Sequence, residues 1–359
     1  MKSPTEDLAE LCQSHPLPSA PRPIVLLGAG NIMREAHLPT YAKLGFEVFG
    51  VFDKNAAQAE AVARDFAVPR VFDTLGDALE RGNGVVYDIA VPAESVLELV
   101  RALPAESGVL IQKPLGRDRV EARQIREVCE RRQLKAAVNF QLRFSPGMLA
   151  VRDALRKGHL GELRDVDVRV NVYTPWAHWA FLKGIPRHEI LYHSIHYLDL
   201  IRCVLGDPRG AMSQQLTHPE LQGYSDTRST TILDYGDRCR VCLSINHSHD
   251  FGPQKMASEI KFEGTKGAAV CTMGVNLDYP QGQPDTLEVA FRSSRTWQRV
   301  PLRGSWFIEA FEGPMSNLQR YVNGEDETLV SHVTDAERTM QLVEACYLSS
   351  ERGSFPIPD

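Results

Sequence analysis

No apolar run in the chain approaches the roughly 20 residues that a bilayer-spanning helix needs. The longest, Pro23 to Leu27 and Gly84 to Pro92, are far shorter, so no membrane role is expected. Basic charge is not in surplus either: 40 Lys and Arg stand against 46 Asp and Glu, a net −6. That balance argues against nucleic acid as a partner. Cysteine is sparse and odd in number, at seven, which suits a reducing compartment better than a disulfide framework. The opening Met1-Lys2-Ser3-Pro4-Thr5-Glu6-Asp7 lacks the basic and apolar blocks of a secretory signal, so a cytoplasmic location is expected. Internal repeats and low-complexity tracts are absent. What the chain does have is 43% apolar and 24% charged residues over 359 positions, enough for real cores and, at roughly 150 residues per domain, for two domains.

Residues 1–22 read as a leader, with a short helical pattern at Leu8, Leu11 and Cys12 followed by a proline-rich stretch from Ser14 to Pro23 that stops any helix. Residues 23–144 then alternate strand and helix. The predicted strands are Ile24–Leu27, Glu47–Phe52, Arg70–Phe72, Val85–Val91, Gly108–Gln112 and Lys135–Phe140. The predicted helices run to about Leu44, then over Ala56–Phe66, Thr74–Arg81, Ser95–Leu103 and Val120–Arg132. Strict alternation with short connections gives a doubly wound parallel sheet, an α/β Rossmann domain.

After Pro146 the pattern changes. Helices are expected over Pro146–Lys157 and Glu189–Leu205. Strands are expected at Leu163–Val172, Ser229–Tyr235, Arg238–Asn246, Glu259–Glu263, Ala268–Thr272 and Thr286–Phe291, and closing helices near Phe307–Asn323 and Thr334–Ser350. A train of strands after one helix reads as an α+β domain over 145–359 with an open-faced, largely antiparallel sheet. Left single, that face would expose an apolar patch, so a homodimer or homotetramer is expected.

The first strand runs into Gly28-Ala29-Gly30-Asn31-Ile32-Met33. Two glycines permit a tight turn whose amides, from Gly28, Gly30, Asn31 and Ile32, approach a pyrophosphate at a helix N-terminus. Met33 stands where a third small residue is usual, which loosens the expected helix–strand packing. Asp53 ends the second strand, and an acidic group there accepts from ribose hydroxyls and favours NAD over NADP. Lys54 beside it allows NADP as the alternative.

These residues resemble the glucose–fructose oxidoreductase / inositol dehydrogenase (Gfo/Idh/MocA) family. The resemblance runs through Gly28-Ala29-Gly30, Asp53, Ile89-Ala90-Val91-Pro92, Gln112-Lys113-Pro114-Leu115, Arg143-Phe144-Ser145-Pro146, His196-Tyr197-Leu198-Asp199 with Leu205-Gly206, and Glu263-Gly264-Thr265-Lys266-Gly267. It implies a nicotinamide domain, with Ala90 and Pro92 also on the cofactor, and oxidation or reduction at a carbon bearing a hydroxyl. It also implies that Lys113 lies near the nicotinamide and the reacting hydroxyl. Three departures bear on the substrate. Gln112 replaces the family's glutamate before the lysine, Pro186-Arg187-His188 replaces a glycine-rich lead-in, and Tyr192 replaces the aspartate four residues before the catalytic histidine.

An ammonium at Lys113 can hold a substrate oxygen and stabilise developing alkoxide charge. At about 100° per residue, an α-helix from Glu189 puts His193 and His196 on one polar face with it. Histidine is suited to taking the hydroxyl proton as hydride leaves. His196 is the expected proton carrier because His196-x-x-Asp199 matches the family register. His193 is the rival, and Tyr192 and His193 are expected to touch substrate. No metal is assigned, although Glu189, His193 and His196 could converge on one. His188-Glu189 to His193 is one residue too long for the zinc-hydrolase spacing. Cys239 and Cys242 point to opposite faces of a strand and read as inert.

Trp176 belongs to a dense aromatic stretch, Trp176-Ala177-His178-Trp179, of the kind that stacks on sugars or forms a buried cluster. Arg143 and Arg187, with Lys183, add charge that would suit a carboxylated substrate. The expected activity is NAD(P)-dependent oxidoreduction of a sugar, polyol or sugar acid. The alternatives are a nucleotide-binding sensor that has lost catalysis, and an elimination or glycoside cleavage in which hydride is removed and returned.

Overall fold

A computed structural model describes residues 8–354 and 356–358. By internal contacts the chain divides into two units. One comprises residues 14–144 with 307–340, the other residues up to 13, 145–306 and those from 341 on. Among the described residues, no helix is long and apolar enough to cross a membrane.

The first unit carries five parallel strands: β1 (Ile24–Leu27), β2 (Val48–Phe52), β3 (Val86–Ile89), β4 (Gly108–Ile111) and β5 (Lys135–Val138), in the order β2-β1-β3-β4-β5. β1, β3 and β4 are buried at every position, which is why they read as continuous apolar runs. Helices Ala56–Asp65, Leu75–Leu79, Ala93–Ala102 and Arg119–Arg131 fill the crossovers. Thr74 and Asp77 form a capping box on the second of these. The strand expected at Arg70–Phe72 is reduced to one parallel bridge, Val51 to Val71. Between Pro69 and Asp73 there is too little chain to carry a ladder further.

The helix Glu312–Val322 belongs to this unit, to which the chain returns at residue 307. Its Met315, Leu318 and Val322 share a core with Ile24, Leu26, Val86, Leu110 and Ala137. Gly313 lets the helix approach Phe144, whose ring lies 2.3 Å from where a Cβ would stand. The leader is strapped onto the same helix. Arg22 and Gln319 exchange hydrogen bonds at 3.0 and 2.9 Å, Asn323 donates to the Ala20 carbonyl, and Ser19 donates to Glu325. Of the helical pattern expected before it, Leu8 and Leu11 are buried in the other unit, and positions 1–7 lie outside the described residues.

The second unit is built on eight strands. Added to β6 (Leu163–Asn171) are β7 (Gly210–Leu216), β8 (Arg228–Asp234), β9 (Arg240–Asn246), β10 (Ala257–Gly264), β11 (Gly267–Thr272), β12 (Thr286–Phe291) and β13 (Trp297–Val300). Their order is β13-β12-β11-β10-β6-β9-β8-β7, antiparallel except for the β6–β9 pair. The two strands not foreseen, β7 and β13, are the edges, where a polar sequence is tolerated because one side lacks a partner. The helix Pro146–Arg156 packs across β11, with Gly147 against the Cys271 sulfur. The opposite face exposes Met212 paired with Ile232 at the β7 edge, and Leu216 beyond the Gln214–Thr230 pair. Elsewhere it presents Arg169, Thr230, Ser244 and Glu288, with Trp297 exposed at the β13 edge.

A buried polar network lies inside the first unit. Asp88, in β3, accepts at 2.7 Å from His37 Nδ1 and at 2.6 Å from the Tyr41 hydroxyl, while Asn139 Nδ2 donates to His37 Nε2 at 3.2 Å. All four side chains are essentially inaccessible. Replacing one member strands the others in low dielectric. His37→Phe is therefore expected to cost about 3–5 kcal/mol in urea denaturation followed by circular dichroism, and a loss below about 1 kcal/mol would show the network to be dispensable.

Candidate functional site

The nucleotide turn is held by a close backbone approach. Gly28 has φ of 115°, and a Cβ there would lie 2.3 Å from the Ala90 carbonyl oxygen, so neither the torsion nor the space admits a side chain. At Gly30 the corresponding direction is open to 4 Å, as a phosphate cradle requires. Asp53 closes the turn from β2. Its carboxylate accepts from the Ala29 amide at 2.7 Å and the Asn55 amide at 2.8 Å, which fixes it beside the glycine turn. Asn31 is exposed and Ile32 partly buried against the core. Met33 is fully buried in the same core, and the helix opens with a π-turn over Met33–His37. Pro92 begins the helix Ala93–Ala102. Lys54 is exposed, its amine 3.6 Å from Glu98. The glycine pair, the open cradle and the fixed carboxylate fit a dinucleotide.

Lys113 follows β4 at its carboxyl end, the side on which open α/β sheets bind ligands. Gln112, standing for the family's glutamate, turns its amide oxygen onto the Lys113 backbone N–H at 3.2 Å. Burial pushes the Lys113 amine down to about 8, because an ammonium loses hydration there.

In the second unit the helix bearing the histidines is anchored by Asp226. This carboxylate accepts from the His188 amide at 2.9 Å and the Glu189 amide at 3.1 Å, capping the helix start. Burial raises its pKa. Residues Ile190–Ser194 form a π-turn before the α-helix Ile195–Leu205. The expectation of a uniform α-helix is corrected here: the wider turn inserts a residue, and Glu189, His193 and His196 do not converge. His247, just beyond β9, joins Glu189 and His193 instead. Glu189 Oε1 lies 3.8 Å from His193 Nδ1, 3.6 Å from His247 Nε2, and accepts from Ser194 Oγ at 2.5 Å. Burial alone would raise the Glu189 pKa, but the two imidazoles hold it well below the usual carboxylate range. His247 is pushed down to about 4 by burial and by His193. His196 is buried and meets the Trp306 ring edge-on, centroids 5.2 Å apart. Asp199 is buried as well.

Three expected substrate contacts are otherwise engaged. Arg143 is 2% exposed, donating to the Val330 carbonyl at 2.9 Å and to Asp335 at 2.6 Å. Arg187 forms a bidentate pair with Glu344 at 2.7 and 3.0 Å and lies over the Tyr347 ring. Neither guanidinium is left to a substrate carboxylate. Trp176 is buried against His188 and His247, with centroids at 4.2 and 5.0 Å, so its indole is core, not an open sugar platform. Tyr192 remains partly exposed beside Phe181. Cys239 and Cys242 both have raised pKa values through burial, in keeping with inert thiols. His247 and Asp226 went unforeseen. They lie on loops remote in sequence from the helix, and no spacing rule links them to it.

Residues 22–140 match the oxidoreductase family with an NAD-binding Rossmann fold, and residues 148–270 match the GFO/IDH/MocA C-terminal domain. A D-apiose dehydrogenase of Paraburkholderia graminis is 25% identical over 91% of this chain and 87% of its own. An inositol 2-dehydrogenase of Rhizobium meliloti is 28% identical over 83% of this chain and 86% of its own. Among solved structures, an oxidoreductase from Agrobacterium radiobacter in complex with NAD+, L-tartaric acid and magnesium superposes with a TM-score of 0.77. It covers 93% of this chain and 98% of that one at 20% identity. The chain is therefore a member of the GFO/IDH/MocA oxidoreductase family, with an NAD-binding Rossmann domain followed by the family's C-terminal domain.

Proposed function

We propose that the protein oxidises or reduces a hydroxyl-bearing carbon of a neutral sugar or polyol, with NAD as the hydride partner. The observation that carries this reading is Lys113, at the carboxyl end of β4 with its amine held at about 8. A lysine poised there is largely an ammonium at neutral pH, yet exchanges its proton readily. Its role is to hold the substrate oxygen and to stabilise negative charge as the carbon changes oxidation state. His196 takes the hydroxyl proton, and Tyr192 shapes the substrate contact. When bound, the nicotinamide supplies the carbon that accepts or returns hydride.

Gly28, Gly30, Asn31 and Ile32 are assigned to the pyrophosphate, Asp53 to the ribose, and Ala90 and Pro92 to the nicotinamide side. With its two oxygens fixed by backbone amides, Asp53 repels a 2′-phosphate, which supports NAD over NADP. The neutral class is preferred to sugar acids because Arg187 and Arg143 are already paired with Glu344 and Asp335. The relatives named for D-apiose and inositol support a substrate of the same kind.

Lys113→Met and His196→Asn should each lower kcat by about 10²–10⁴-fold with NAD affinity nearly unchanged; near-normal turnover in both would defeat the assignment. Because the ammonium form is lost as pH rises through about 8, turnover should fall across that range. In Lys113→Arg, whose residual rate comes from a permanently charged group, this limb should vanish. Gly28→Ala forces a side chain into 2.3 Å contact with the Ala90 carbonyl. It should weaken NAD by at least about 10-fold in calorimetry, and unaltered binding would show the turn to lie outside the nucleotide site.

A further inference from the structure

We infer that Glu189, His193 and His247 form a binding site for a zinc-class divalent ion. Each offers one ligand atom, and the three atoms lie within 4.8 Å of one another. Glu189 Oε1 stands 3.8 Å from His193 Nδ1 and 3.6 Å from His247 Nε2. Four-coordinate zinc with ligands at about 2.0–2.1 Å separates its donors by about 3.3 Å, so the two edges from Glu189 are within a few tenths of an ångström of that spacing.

The hydrogen-bond inventory says why a cation belongs there. Glu189 is fully buried and His247 is 1% exposed, yet among the described residues Glu189 Oε2, His193 Nδ1 and His247 Nε2 have no hydrogen-bond partner. Leaving such atoms unsatisfied forfeits their hydration with nothing in return. At 3.8 and 3.6 Å neither imidazole nitrogen comes within hydrogen-bond distance of the carboxylate. A divalent ion satisfies the carboxylate and both nitrogens together.

The surroundings orient the ligands. His247 Nδ1 lies 2.7 Å from Thr174 Oγ1. With that nitrogen carrying the hydrogen, the lone pair of Nε2 is directed toward Glu189, the outer-shell arrangement that fixes metal-bound histidines. Ser194 Oγ donates to Glu189 across the π-turn, and the capping bonds from the His188 and Glu189 amides to Asp226 hold the backbone beneath it. Trp176 packs on His247 at 5.0 Å, and His193 meets Tyr197 at 5.4 Å, so both rings are immobilised. Two imidazoles and one carboxylate favour zinc over magnesium or calcium, which take oxygen donors. Three protein ligands leave a position for water or a hydroxyl oxygen.

The site is tested on protein free of nucleotide and substrate, so its outcome is independent of the roles given to Lys113 and His196. The full chain is stripped with EDTA and titrated with Co²⁺, whose visible bands report four-coordinate geometry, and Zn²⁺ is then added in competition. Saturation at one ion per chain, and a rise in Tm with Zn²⁺, are expected. Thr174→Val, which keeps all three ligands, should weaken Co²⁺ by about 10–100-fold, and His247→Ala by more. Both variants are checked by circular dichroism. Absence of Co²⁺ bands together with a Zn²⁺-independent Tm in the parent chain would overturn the proposal. So would equal Co²⁺ affinity in parent and His247→Ala.

Discussion

The Ala90 carbonyl occupies the space that a side chain at position 28 would need, and the nucleotide-binding unit is organised around that contact. It presses the turn after β1 against the end of β3, the neighbour across which the strand order reverses. It also brings the Ala29 amide to Asp53, joining the turn to β2. The same carboxyl edge continues through β4 to Lys113, with the Gln112 amide bonded to the Ile89 carbonyl at 2.8 Å. One absent side chain thus aligns an open glycine turn and an acidic residue along the edge that carries Lys113, at the ends of adjacent strands.

The second unit solves a different problem, that of burying charge in a helix start. Asp226 satisfies two amides at the entrance, the π-turn lets Ser194 reach Glu189, and His193 and His247 flank the same carboxylate. A regular α-helix could not place Ser194, five positions on, against Glu189, nor separate His193 from His196 in this way. Widened turns of this kind occur frequently at functional sites. Here the widening divides the titratable residues between a buried carboxylate–imidazole cluster and a histidine set against Trp306.

Local patterns in the sequence were legible where one element carried its own signal. β1 and its glycine turn, the parallel strands buried on both faces, and Asp53 at the end of β2 all follow from period, turn chemistry and short connections. The histidine-bearing helix was found, but not its π-turn, because hydrophobic period does not register one inserted residue. Long-range pairing was not legible. The helix Glu312–Val322 joins the Rossmann core through Met315 and Leu318, although it begins 174 residues beyond the end of β5. Arg143 and Arg187 looked available for substrate because Asp335 and Glu344, which neutralise them, lie 192 and 157 positions away. His247 is likewise remote from Glu189, and β7 and β13 have the weak patterns that sheet edges permit.

The central claim is that hydride passes between a carbinol carbon and the nicotinamide. It is tested most directly with polyols and sugars carrying deuterium at the carbinol carbon, turned over with NAD, and the reduced nucleotide analysed by mass spectrometry. The account predicts one deuterium in the reduced nucleotide and a slower rate with the labelled substrate. Product formed without label in the nucleotide, or no reduction by any member of the series in a protein that binds NAD, would contradict it.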